Sequence, residues 1–207
     1  PSLVALAVLW FDHLPRWCGG GEASARLWRW AGAGIFLGLV CTHFSDSRAA
    51  NRLRTEWLGG ARGGFYVLRE AHGMPVGRYE RAALKVLGSL PRQARVLILP
   101  EGAALAFLAE LPLPYGLYRC LPSDLTGDYS EARLLRRWQA EPPEVVVLVA
   151  MNLGEHGVRA FGADYAPQAG AWLRAHYEPW QGIGTRERNF FLLLKRKGAP
   201  DPAVRVP

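Results

Sequence analysis

Six polar residues carry the functional groups that a small ligand would need. Asn152, Glu155 and His156 share one loop, Asp164 and Tyr165 follow shortly after, and Glu101 stands well upstream. An amide, carboxylates, an imidazole and a phenol ring can between them hydrogen-bond to and stack on a sugar. Acid–base catalysis asks for more, namely two titratable groups held together with separated pKa values. The other acids considered are Asp124 and Asp128, and no spacing marks a catalytic pair among them. Each candidate also has a structural reading. Asp128 with Glu131 spells a capping box, and Glu101 follows a strand and opens a helix, where the helix dipole favours a carboxylate. His156 in its glycine-flanked loop reads equally as a surface residue.

Several chemistries are excluded by pattern. No GxSxG, HExxH or nucleophilic-cysteine context occurs, and no GxGxxG follows a strand. The stretch Gly59 to Gly64, GGARGG, lacks the Lys-Ser/Thr of a P-loop and reads as a flexible turn. Cys18, Cys41 and Cys120 are odd in number and widely spaced, with no CxxC or Cys/His cluster. Neither a metal site nor a cofactor is expected.

The elements that must position the six residues centre on Val145 to Ala150, a continuous apolar run between Pro143 and Gly154. Without alternation, such a strand is buried on both faces and needs helices above and below. Arg95 to Pro100 repeats the pattern. Tyr79, Ala83, Val86, Leu87 and Leu90 mark one apolar helix face, ended by Pro91. Glu101 to Leu108 reads as a short buried helix, Leu111 to Tyr115 as an extended loop, and Leu117 to Cys120 as a short edge strand. Ala132, Leu135 and Trp138 stripe a helix, Ala169, Trp172, Leu173 and Tyr177 another, and Phe190 to Lys197 reads as a closing strand. Strand and helix in alternation mean parallel strands with crossover helices. The fold class expected is therefore α/β, a small Rossmann-like, mostly parallel sheet with helices on both faces. In such sheets ligands bind beyond the carboxyl ends of the strands, so Glu101 and the 152–156 loop converge if their strands are parallel neighbours.

Half of the 207 residues are apolar, which suits a folded chain, and the formal charge is +7. All but Lys85, Lys195 and Lys197 of the 25 basic residues are arginine. They are spread along the chain without a patch interleaved with exposed aromatics, so no nucleic-acid partner is expected. Trp10, Trp17, Trp28, Trp30 and Trp57 gather in the first part of the chain, as tryptophans do near membrane–water interfaces. Residues 27–44, LWRWAGAGIFLGLVCTHF, are interrupted only by Arg29 and His43 near the ends, and Ala31 to Gly34 supplies small residues for close helix approach. One transmembrane helix is expected there, with residues 1–11 as the end of another. The organisation expected is a membrane region over 1–44, a linker over 45–77, an α/β extramembrane domain over 78–197 and a tail over 198–207.

The blocks RVLILPEGAALAFL, LPLPY, LP at Leu121-Pro122, PPEVVVLV, EHGVRAFGADY and AWLRAHY occur in this order. Together they resemble the C-terminal extramembrane domain of bacterial GT-C-type membrane glycosyltransferases related to the dolichyl-phosphate-mannose–protein mannosyltransferases. The resemblance covers roughly residues 30 to 195. It implies transfer of a sugar from a polyprenyl-phosphate carrier, with membrane lipid and a glycan or protein acceptor as partners. It also implies a place at the cell inner membrane with the C-terminal domain extracytoplasmic. The family's catalytic aspartate lies in a first extracytoplasmic loop that these residues do not include, so no catalytic residue is carried over. Glu101, Asn152, Glu155, His156, Asp164 and Tyr165 remain as ligand-binding candidates. The alternative is a free-standing α/β small-molecule transferase or binding domain.

Overall fold

The structure is a computed structural model that describes residues 21–202 apart from 61, 72 and 186–188. The chain divides into two units, one ending at Arg54 and the other beginning at Thr55.

The described part of the first unit is one long helix, α1 (Glu22–Arg52). Leu27, Trp30, Ile35, Leu37, Leu39 and Phe44 are exposed along it. Among the described residues no helix is both long and apolar enough to cross a membrane. The transmembrane helix expected over 27–44 is corrected accordingly. The apolar side chains of that stretch are diluted by Gly32, Gly34 and Gly38, which add little transfer energy, and by Arg29 and His43, which oppose it. The run then continues into the polar SDSRAANR of the same helix. The remnant expected over residues 1–11 lies outside the described residues.

The second unit opens with a hairpin of β1 (Glu56–Gly60) and β2 (Gly63–Val67), inside the stretch read as a linker. Its remaining elements are α2 (Val76–Gly88), β3 (Val96–Leu99), α3 (Ala103–Leu108), α4 (Glu131–Ala140), β4 (Val145–Val149), α5 (Pro167–His176), β5 (Tyr177–Gly184) and β6 (Asn189–Arg196). The main sheet has four strands in the order β3-β4-β6-β5.

Val145, Val146 and Val147 of β4 are fully buried, as an unbroken β-branched run between two layers requires. Because side chains alternate across a strand, β4 feeds two cores. Val145 and Val147 join Val96 and Ile98 of β3, Phe191 and Leu193 of β6, and the apolar faces of α2 and α3. Val146 joins Leu97, Leu99 and Leu194 with Leu134, Leu135 and Trp138 of α4 and Ala169 and Leu173 of α5. Helices therefore cover both faces.

The sheet itself differs from the Rossmann-like, mostly parallel one expected. Only β3 and β4 pair as parallel neighbours, with Val96 opposite Val145 and Leu99 opposite Leu148. β6 is antiparallel to β4, and β5 antiparallel to β6. The physical cause is one extra strand. The α5 helix ends at His176 and β5 begins at Tyr177 with no connecting loop. The chain thus lays β5 at the edge in the direction of β4, and β6 turns back from it to fill the place between them, so that β6 arrives with inverted direction. The edge strand expected over Leu117 to Cys120 reduces to a single bridge between Glu101 and Arg119.

The helix caps also differ from expectation. Ser130, not Asp128, holds the N-cap position of α4, and Asp128 pairs with Arg133 instead. The Glu131 carboxylate accepts from the Ala169 backbone N–H at 2.8 Å, capping the first turn of α5 rather than its own helix. Buried tyrosines tie the loops down. The Tyr177 hydroxyl donates to the Pro143 carbonyl at 2.8 Å, and burial holds its phenol well above the ordinary range.

Candidate functional site

The register of β3 and β4 fixes which loops share an edge. Leu99 faces Leu148, so Pro100-Glu101 and the Ala150–Leu153 segment emerge at the same end. Val149 pairs with Phe191 in the antiparallel direction, so the first residues of β6 emerge there too. Between these ends lies a cleft of about 260 Å³. Leu99, Leu148 and Leu192 line it together with Arg159, Asn189, Ala150 and Met151. Phe161 also lines it.

Five of the six sequence candidates belong to the 152–165 loop, and the structure assigns most of them to building it. The Asn152 Oδ1 accepts from the Gly154 N–H at 3.0 Å, a local turn bond. Glu155 and His156 form the short turn Gly154–His156, which ends at Gly157 with φ +70°. Their side chains approach to 3.5 Å, with the Glu155 side chain 80% exposed. Tyr165 is buried, its hydroxyl donating to the Cys120 carbonyl at 3.2 Å and its ring edge-on to Phe161. Burial raises both the Tyr165 phenol and the Cys120 thiol, the latter to about 12, so Cys120 stays protonated and unreactive at neutral pH. Glu101 shares the sheet end but takes the outer side of β3, where it bridges to Arg119 and is exposed.

Asp164 has the most specific role. Its Oδ2 accepts from the Arg159 backbone N–H at 2.7 Å and from Nε at 3.3 Å, while Oδ1 accepts from Nη2 at 3.4 Å. These hydrogen bonds from Arg159 hold the Asp164 carboxyl below the usual carboxylate range. The carboxylate thereby orients the guanidinium on the cleft rim, a charge-assisted fork. A depressed folded-state pKa places the clamp's contribution above the unfolded carboxyl value of about 3.9. It is lost as the pH falls through the lower folded value. An NMR titration of the Asp164 carboxyl carbon should therefore show an inflection below that of an ordinary aspartate. An inflection at or above the ordinary value would mean that the fork does not form in solution.

The residues missed from sequence are Arg159, Phe161 and Asn189. Asn189 reaches the edge only because β6 runs antiparallel. Arg159 carried a usable signal, since an aspartate five residues on can close a loop through a forked ion pair. Among the described residues no three His, Cys, Asp or Glu side chains group as metal ligands. What the cleft offers chemically is one fixed cation, one amide and an aromatic ring. That set suits a polar ligand of small size and includes no carboxylate or imidazole among its lining side chains.

No protein-family model, curated protein or solved structure matches the chain.

Proposed function

We propose that the chain is an accessory, non-catalytic part of a GT-C-type glycosyltransferase that uses a polyprenyl-phosphate sugar donor, and that the cleft beyond β3 and β4 holds the acceptor. The enzyme's setting would be the extracytoplasmic face of the inner membrane, with lipid close by. The observation that carries the reading is that Arg159, held by Asp164, lines a cleft at the shared end of the parallel strands β3 and β4. Strand-end loops are where open sheets place ligands, and a guanidinium with free donors suits hydroxyl or acidic oxygens. The order of sequence blocks supports the enzyme class.

Incubated with a polyprenyl-phosphate sugar and an oligosaccharide acceptor, the chain alone should transfer nothing. It should retain the acceptor in a calorimetric titration, and Arg159→Ala should weaken that binding about tenfold, the loss of one charge-assisted contact. Turnover by the chain alone would overturn the accessory role. Acceptor binding indifferent to Arg159 would remove the cleft from it.

A further inference from the structure

The hairpin of β1 and β2 leaves part of its main chain unmatched. Gly60 opposes Gly63, so the loop between them is two residues long, and a loop this short closes on a hydrogen-bonded pair. Bonded and non-bonded pairs alternate along antiparallel strands. Leu58 and Phe65 are therefore bonded to each other, whereas Gly59–Gly64 and Trp57–Tyr66 turn their N–H and C=O groups outward. On the β1 side the Trp57 carbonyl accepts from the Arg81 guanidinium at 3.2 Å. On the β2 side no group among the described residues bonds to the outward N–H and C=O of Gly64 and Tyr66. Gly63 to Tyr66 are all exposed, Phe65 at 41% and Tyr66 at 57%. Proline, bulges and charged side chains are the ordinary defences of such an edge. At the edge of the main sheet, β5 carries Pro179 and two register shifts. Past β3, the Cys120 N–H donates to the Pro100 carbonyl. β2, with the sequence GGFYV and an unbroken register, has none of these devices.

We propose that β2 is a dimer interface, pairing antiparallel with β2 of a second copy of the chain about a two-fold axis at Phe65. An unmatched strand edge takes another extended strand as its partner, and β2 is complementary to itself. With Phe65 on the axis, the outward groups of Tyr66 meet those of Gly64 in the second copy, and the reverse holds on the other side. Every outward group of the pair thus finds a mate. Each Tyr66 ring stands beside a glycine, which leaves room for it, and no charge in β2 faces its own like. A two-fold contact uses the same patch on both copies and closes on itself, so the two hairpins join into a single sheet without exposing a further edge of the same kind. The surface includes no residue of the cleft, and the proposal does not depend on what the cleft binds.

The test is sedimentation velocity of the full chain across a range of concentrations, over which wild type should pass from monomer to dimer. Phe65→Lys sets like charges opposite each other across the axis and should raise the dimer dissociation constant about tenfold or more. Phe65→Glu should do the same. Mixing the two variants should restore dimers, because lysine then faces glutamate; a variant that had merely failed to fold would not be rescued. Wild type that stays monomeric at every concentration overturns the interface. A dimer kept by both variants overturns it too, because the contact then lies elsewhere, as on the exposed apolar side chains of α1. A mixture of the two variants that remains monomeric overturns the pairing about Phe65.

Discussion

Replacing Trp138 with alanine is expected to destabilise the second unit by about 3–5 kcal/mol, the range for deleting a large aromatic from a packed core. Trp138 is fully buried on α4, where it packs on Trp172 of α5 at a centroid distance of 6.1 Å. It joins Leu134, Leu135, Val146 and Leu173 in the core that backs the 152–165 loop. Its Nε1 is buried with no hydrogen-bond partner in the structure, a cost the protein bears in exchange for volume. Trp138→Phe removes that orphan donor together with less volume, so it should cost well under half as much. Urea denaturation of both variants reads the comparison. Equal losses would show that the indole N–H finds a partner in solution and that volume is not the deciding quantity.

Gly170→Ala is the second large effect, and local propensity gets its sign wrong. Gly170 lies inside α5, where alanine is favoured over glycine by about 1 kcal/mol. A Cβ there would stand 2.6 Å from the Gly162 carbonyl oxygen and 2.8 Å from its carbon. Those atoms are backbone and cannot rotate away. Gly162 is itself held at φ +76°, with its N–H donating to the Tyr165 carbonyl and its own carbonyl accepting from Arg174. Overpacking of this kind costs about 1–3 kcal/mol, so the variant should be destabilised on balance. The strain should also displace the turn that aims Arg159, shifting the amide resonances of residues 159–165. Gly88→Ala is the control, because nothing lies within 4 Å of its Cβ. It should be neutral or stabilising. A Gly170→Ala protein as stable as wild type, with unshifted loop resonances, would show that helix and loop do not touch as described.

Sequence and structure agree where one residue type admits one environment. The run Val145 to Val149 could only be a strand between two apolar layers, and its burial on both faces follows. The stripe of Ala83 and Leu87 likewise fixes the inner face of α2. Direction is another matter. Phe190 to Lys197 reads as a strand in either sense, and only β5, hidden in a stretch with Pro179 and Gly182, reverses it. One unrecognised strand therefore exchanged a parallel sheet for a mixed one and brought Asn189 to the cleft. Side-chain roles were less legible still. Tyr165 presents a ring and a hydroxyl in any context, and nothing nearby in sequence indicates that the hydroxyl is engaged by Cys120. The partner comes from a loop brought close only by the fold. The same holds for Glu131, whose neighbour in space is the first turn of another helix. Residues 27–44 are the opposite case, since their apolar length suggests a span while their glycines and Arg29 lower the mean hydropathy below what a span needs.

The place of β4 in the sheet also governs how the chain must be made. Its one flank is filled by β3, which is synthesised earlier, but its other flank is filled by β6, in which Lys195 sits opposite Val145. A ribosome adds roughly 5–20 residues per second, so β4 leaves the exit tunnel seconds before the strand that completes it. During that interval an entirely apolar strand has one row of backbone N–H and C=O groups without a mate, the arrangement most prone to pairing with a neighbouring chain. The helix α5 and the hairpin partner β5 are made in between and can shield one face but not that row. Folding of this unit is thus gated by its last strand, and a nascent chain stalled before Asn189 is the form a holdase chaperone would need to protect.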